Sequence, residues 1–135
     1  MKKFAIGMAA VVAGIGWLTS QAGAQGVPAI KDIMAKLNKG PTSLCPTLGK
    51  QLKENAPNWD TIQKETKEFV GLAESLGKNE PPKGDKTNWA TLTRDYAANA
   101  RSLDTAAQKK DSPGAIAAHG KLAGACATCH KAHRN

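Results

Sequence analysis

From Pro113 to the C-terminus the chain runs without another proline, and it is made mostly of alanine, glycine and cysteine, with hardly a large apolar side chain among them. Such a stretch favours helix, because alanine gives up no side-chain entropy there. It brings almost nothing to fill a core, however. A fold that contains it must either close on it as a tightly packed alanine-rich bundle or lay something bulky and flat against it. Ser112 reads as its cap, with Pro113 in the first turn, and the helix is expected to run to about His133.

The rest of the chain has helical periodicity between proline and glycine punctuation. Ile30, Ile33, Met34 and Leu37 share one helical face, and Gly40-Pro41 stops it. Leu44, Leu48 and Leu52 continue the stripe, so residues 28–55 read as a first helix broken at Pro41 and Pro46. A second helix is expected from about Asn58 to Leu76, with Asp60 and Gln63 as a capping box, Ile62, Phe69, Leu72, Ala73 and Leu76 on its apolar face, and Gly77 as its end. Lys78 to Thr87, with Pro81-Pro82 and Gly84, is the long loop. Trp89, Leu92, Tyr96, Ala100, Leu103 and Ala107 mark a third helix, and nothing alternates as a strand would. The expected fold is all-α, an antiparallel four-helix bundle.

Lys2 and Lys3 precede an apolar run from Phe4 to Leu18 that closes on Ala22-Gly23-Ala24, the pattern of a secretory signal peptide cleaved after Ala24. The run is too short for a bilayer span and carries Gly7, Gly14 and Gly16. Residues 1–24 are thus expected to be removed, leaving a single domain of residues 25–135 in the periplasm, with no membrane span. Met1 and Met8 leave with the signal, so Met34 is the one methionine that remains.

Cys126-Ala127-Thr128-Cys129-His130 is the CxxCH signature of c-type haem attachment. At helical spacing the two sulfurs fall on one face, where they can add to the two vinyl groups of one haem c, and the adjacent histidine meets the iron. A closed zinc site needs four ligands, and Cys45, His119 and His133 lack the paired spacing of zinc modules. A thioredoxin-type CxxC would need βαβ surroundings, and a plain Cys126–Cys129 disulfide is the remaining reading. Covalent haem, attached near the C-terminus of the last helix, is the expectation, with His130 as proximal iron ligand.

The sixth ligand decides the chemistry: two strong protein ligands suit electron transfer, whereas an open iron binds gases or peroxide. His119 and His133 lie on the same helix as His130 and cannot reach the other face. Met34 lies on another helix, and is the expected distal ligand; a methionine on an apolar stripe otherwise serves as core filler. Arg134 either pairs with a haem propionate, caps the helix dipole or belongs to a solvated tail with Lys131. His119 reads as a surface or helix-packing residue. Cys45, beside Leu44 and Leu48, reads as a small buried hydrophobe, with a link between two chains as the other reading.

With Cys126, Cys129 and His130 near the end of the last helix, Arg134 four residues after the histidine, and an opening helix reading Ile30-Lys31-Asp32-Ile33-Met34, the chain resembles the cytochrome c′ family of exported four-helix-bundle haem proteins. The resemblance implies that the first helix forms the distal side of the haem, either with an aliphatic residue over an open iron or with a bound methionine. Met34 falls close to where the methionine-ligated members place theirs. Related bundles often form homodimers through their first helices. The chain departs from the family in having His133 where Phe or Tyr is usual, and in the Gly40-Pro41 and Pro46 interruptions of a first helix that is normally longer.

The formal charge of +8 includes the two lysines of the signal, and two propionates would lower it further. Lysine and arginine are dispersed along polar helix faces without interleaved aromatics, which suits an acidic redox partner protein better than nucleic acid. An aromatic content of only 4% leaves room for a porphyrin. The expected activity is single-electron transfer by a monohaem cytochrome, with no catalytic residue. The alternative is a five-coordinate cytochrome that senses or scavenges nitric oxide or carbon monoxide. Peroxidase chemistry would need a distal acid–base histidine that the first helix lacks.

Overall fold

The computed structural model describes residues 26–135, so the expected signal segment lies outside the described residues. The described chain is all-helical: α1 (Ile30–Asn38), α2 (Leu44–Gln51), α3 (Trp59–Leu76), α4 (Lys86–Gln108) and α5 (Ser112–His133). No strand occurs among the described residues, and none of their helices is long and apolar enough to cross a membrane.

The expected break in the first helix is real, and it yields two separate helices. Lys39 turns extended, and Gly40 takes φ +82°, a left-handed conformation that glycine adopts without the Cβ clash of other residues. The Ser43 hydroxyl then donates to the Gly40 carbonyl at 2.7 Å and closes the turn. Pro46 does not contribute to the break. It sits in the first turn of α2, where its missing N–H has no carbonyl to meet.

Two caps lie one or two residues away from the expected ones. Asn58, not Asp60, caps α3 by accepting from the Thr61 N–H at 3.2 Å. Gln63 leaves the capping box for α4, donating to the Ala107 carbonyl at 3.1 Å. Asp111, not Ser112, caps α5 through the Gly114 N–H at 3.1 Å, and Ser112 is already helical. Asp85 caps α4 in the same way through the Asn88 N–H.

Helix α4 packs along both α3 and α5, while α1 and α2 lie against α3, and α2 also touches α5. The expected apolar faces are the buried ones: Ile33 and Leu37 of α1, Leu48 of α2, Ile62, Phe69, Leu72, Ala73 and Leu76 of α3, and Trp89, Tyr96, Ala100, Leu103 and Ala107 of α4. Polar contacts set the register between helices. The buried Thr66 hydroxyl donates to Asp104 Oδ1 at 2.7 Å between α3 and α4. His119 Nε2 lies 2.7 Å from the Cys45 carbonyl, joining α5 to α2. A Cβ at Gly49 would come within 2.8 Å of the His119 ring, so α2 needs a glycine there.

Helix α5 contributes only Ala115, Ala118, Leu122 and His133 to the buried set. Between Leu122 and His133 no side chain is buried. The core is well filled under the first half of this helix and open under the second.

Candidate haem-attachment site

The open half of α5 carries the CxxCH motif. The helix is continuous through it, so Cys126 and Cys129 stand three residues apart on one face, with His130 beside them, and all three are half-buried. They border a narrow pocket of about 40 Å³ shared with Met34 and Asn38 of α1, Leu76 of α3, and Leu92 and Tyr96 of α4. That pocket adjoins a wider cleft of about 750 Å³, where Met34, Cys129 and His130 recur beside Ile30, Trp89 and Arg134. Clefts that take small molecules and cofactors measure about 300–1,000 Å³.

Every sequence-predicted site residue therefore borders this one region. Met34 reaches it from α1 and lies half-buried against the core. Arg134, at the C-cap of α5, is exposed and has no ion-pair partner among the described residues. His130 makes no hydrogen bond through its ring among the described residues. The Cys126 thiol points back along the helix, 3.6 Å from the Leu122 carbonyl. Burial pushes both motif thiols above the usual range; for Cys126 a hydrogen bond from its own backbone N–H partly offsets this, while for Cys129 the neighbouring Cys126 adds to it. No cysteine is in a disulfide.

Tyr96 was legible only as part of an apolar stripe, yet it brings the one unsatisfied buried hydroxyl of the site. The residue is 8% exposed, and its Oη has no hydrogen-bond partner among the described residues. Burial holds this phenol well above its usual range, the Cys126, Cys45 and Cys129 thiols add to that, and the Asn38 amide partly opposes it. Tyr96 thus keeps its proton and remains a donor.

His133 is not part of a solvated tail. It is 3% exposed and packs edge-on against Trp89, with ring centroids 5.2 Å apart. Its Nδ1 lies 2.8 Å from the Lys83 carbonyl and its Nε2 lies 2.8 Å from Asn88 Oδ1. An imidazolium satisfies both contacts by donating twice; the neutral ring does so once the Asn88 amide turns over to offer its N–H. Gly84 makes this approach feasible, since it has φ +83° and a Cβ there would lie 2.7 Å from the Ala132 carbonyl. The loop between α3 and α4 is thereby pinned to the end of α5, and the Trp89 indole N–H donates to the Asn79 carbonyl of the same loop at 2.8 Å.

His119 serves helix packing, as expected of it. Cys45 is buried, with its Sγ 3.5 Å from His119 Nε2. Its thiol is pushed up to about 11 by burial and, secondarily, by Cys126. Such a thiol is not presented to a second chain.

No family model, characterised protein or solved structure matches the chain. Among the described residues no three His, Cys, Asp or Glu side chains converge as a protein-ligated metal ion requires. The donor set does fit haem c, which brings four of its own nitrogens and asks the protein for two thiols and one or two axial ligands. The cleft beside the second half of α5 has room for such a group, and the unpartnered Tyr96 hydroxyl, which costs about 1–3 kcal/mol when buried, borders the pocket next to it.

Proposed function

We propose that the chain is an exported monohaem c-type cytochrome that carries single electrons, built as an antiparallel four-helix bundle akin to the cytochrome c′ family. The observation that carries this reading is that Met34 of α1 borders the same pocket as Cys126, Cys129 and His130 of α5. Haem c, when bound, supplies a reversible one-electron iron couple.

The chain's own residues have distinct roles. Cys126 and Cys129 would hold the group by two thioether bonds, each the addition of a thiol's sulfur and proton across a vinyl group, which would need no oxidant. His130, whose ring is not committed to another hydrogen bond among the described residues, would hold the iron from α5. Met34 would hold the iron from α1, and a thioether donor would raise the reduction potential relative to a second histidine. Leu76, Leu92 and Ala125 form an apolar lining that limits water at the site. Arg134 borders the cleft, where it would meet a propionate. Lys31 and Lys39 also border the cleft, with Asp32 as the acidic exception, and this balance favours an acidic partner protein.

Near-infrared absorption of the ferric protein tests the assignment. Ligation by Met34 predicts a low-spin spectrum with a sulfur-to-iron band, and Met34→Ala abolishes the band and opens the iron to carbon monoxide. A high-spin wild-type spectrum would instead support the gas-binding reading. One observation favours that second reading: α1 ends at Asn38, so the helix that presents Met34 is only nine residues long.

A further inference from the structure

Met34 and Asn38 lie one turn apart on α1, and side chains at this spacing stand over one another on the same face. The Asn38 amide Nδ2 is 3.9 Å from Met34 Sδ, within reach of an N–H···S hydrogen bond. A thioether only accepts, so the NH2 end of the amide must be the end that faces it. Tyr96, whose hydroxyl has no partner among the described residues, borders the same pocket. Asn38 is half-buried, and its side chain belongs to both the narrow pocket and the wider cleft.

We infer that Asn38 is a positioning residue for the Met34 sulfur: it occupies one lone pair through Nδ2 and leaves the other for an axial bond in the pocket. The inference rests on the reading of Met34 as the distal ligand. Two consequences follow from the chemistry. The sulfur is held in one orientation, so a single geometry of ligation is selected. An N–H on the sulfur also draws electron density from it, which weakens its donation to ferric iron more than to ferrous iron and raises the reduction potential.

Four proteins test this in their haem-loaded form: wild type, Asn38→Leu, Asn38→Asp and Asn38→Gln. Leucine keeps the bulk and removes the donor, aspartate keeps the shape and offers the sulfur only acceptors, and glutamine restores an amide. A neutral hydrogen bond shifts an equilibrium by about fivefold, which for a one-electron couple is about 40 mV. Asn38→Leu is expected to lower the potential by that amount and to broaden or shift the sulfur-to-iron band. Asn38→Asp lowers the potential at least as far, and Asn38→Gln recovers part of the loss. A residue that merely filled space would leave the potential of Asn38→Leu unchanged, and that result overturns the inference while Met34 ligation stands. A wild-type spectrum without the sulfur-to-iron band overturns both together. If Asn38→Leu does not fold, the isosteric Asn38→Asp decides the matter by the same two readouts.

Discussion

His133 holds the α3–α4 loop by two hydrogen bonds, and their energetic coupling can be measured. Replacing it with phenylalanine keeps an aromatic ring against Trp89 and removes both bonds. Lys83 and Asn88 are themselves exposed, so their freed groups rehydrate, and each bond is worth about 0.5–1.5 kcal/mol. The larger ring also meets Gly84, where the space is already tight: a Cβ there would lie 3.0 Å from His133 Nδ1. His133→Phe is therefore expected to destabilise the protein by about 1–3 kcal/mol in urea unfolding followed by far-ultraviolet circular dichroism. Asn88→Ala, which removes one of the two bonds, should cost about 1 kcal/mol. Because the two residues share that bond, the double variant should lose less than the sum of the singles by at least about 0.5 kcal/mol. Strict additivity, or a phenylalanine variant as stable as wild type, would refute the clamp. Trypsin cleavage after Lys83 gives a local readout, and should accelerate in His133→Phe before any global unfolding.

Cys45 predicts a pH dependence. Burial, with Cys126 second, pushes its thiol up to about 11 from the usual 9.0, so the folded protein holds this proton more tightly than the unfolded chain does. Stability should accordingly decline as pH rises from 9.0 towards about 11, by about 2 kcal/mol. Cys45→Ala should flatten the decline, and an unaltered slope would show that other groups cause it. For the site itself, Cys126→Ser with Cys129→Ser should release haem to acidic organic solvent and leave a chain that binds a hydrophobic dye and unfolds with a reduced denaturant slope. A double variant that unfolds as sharply as the haem-loaded protein would mean that the cleft needs no occupant.

The helix faces were legible because burial follows a period that the apolar residues display directly; Ile62 to Leu76 is an example. That Cys126, Cys129 and His130 fall together on one helix was legible because their spacing lies within about one turn. Other features depend on geometry that no local pattern carries. Asn58 and Asp60, or Asp111 and Ser112, have equivalent capping oxygens, and only the backbone direction at the helix entry selects between them. Pro46 is harmless at a helix start and disruptive inside one, so its effect turned on where α2 begins. The burial of His133 depends on a loop some 50 residues earlier in the chain folding back to meet it. Asn38 carried a weak local signal, a polar residue one turn from a lone methionine. Tyr96 carried none, because an aromatic on an apolar stripe looks the same with or without a partner for its hydroxyl.

The second half of α5 buries no side chain fully between Leu122 and His133, but it is not a free end. Leu122 fixes it in the core on one side, and the ring of His133 fixes it on the other, eleven residues and about 16 Å further along the axis. The turn from Cys126 to His130 is thus a beam supported at both ends, with the motif in the middle. Its stiffness comes from the backbone hydrogen bonds of the helix and from the two supports, not from what it carries. In the folded chain the spacing of the two sulfurs and His130 is therefore set by the helix itself, and what remains for packing to supply is the layer beneath them, not their register.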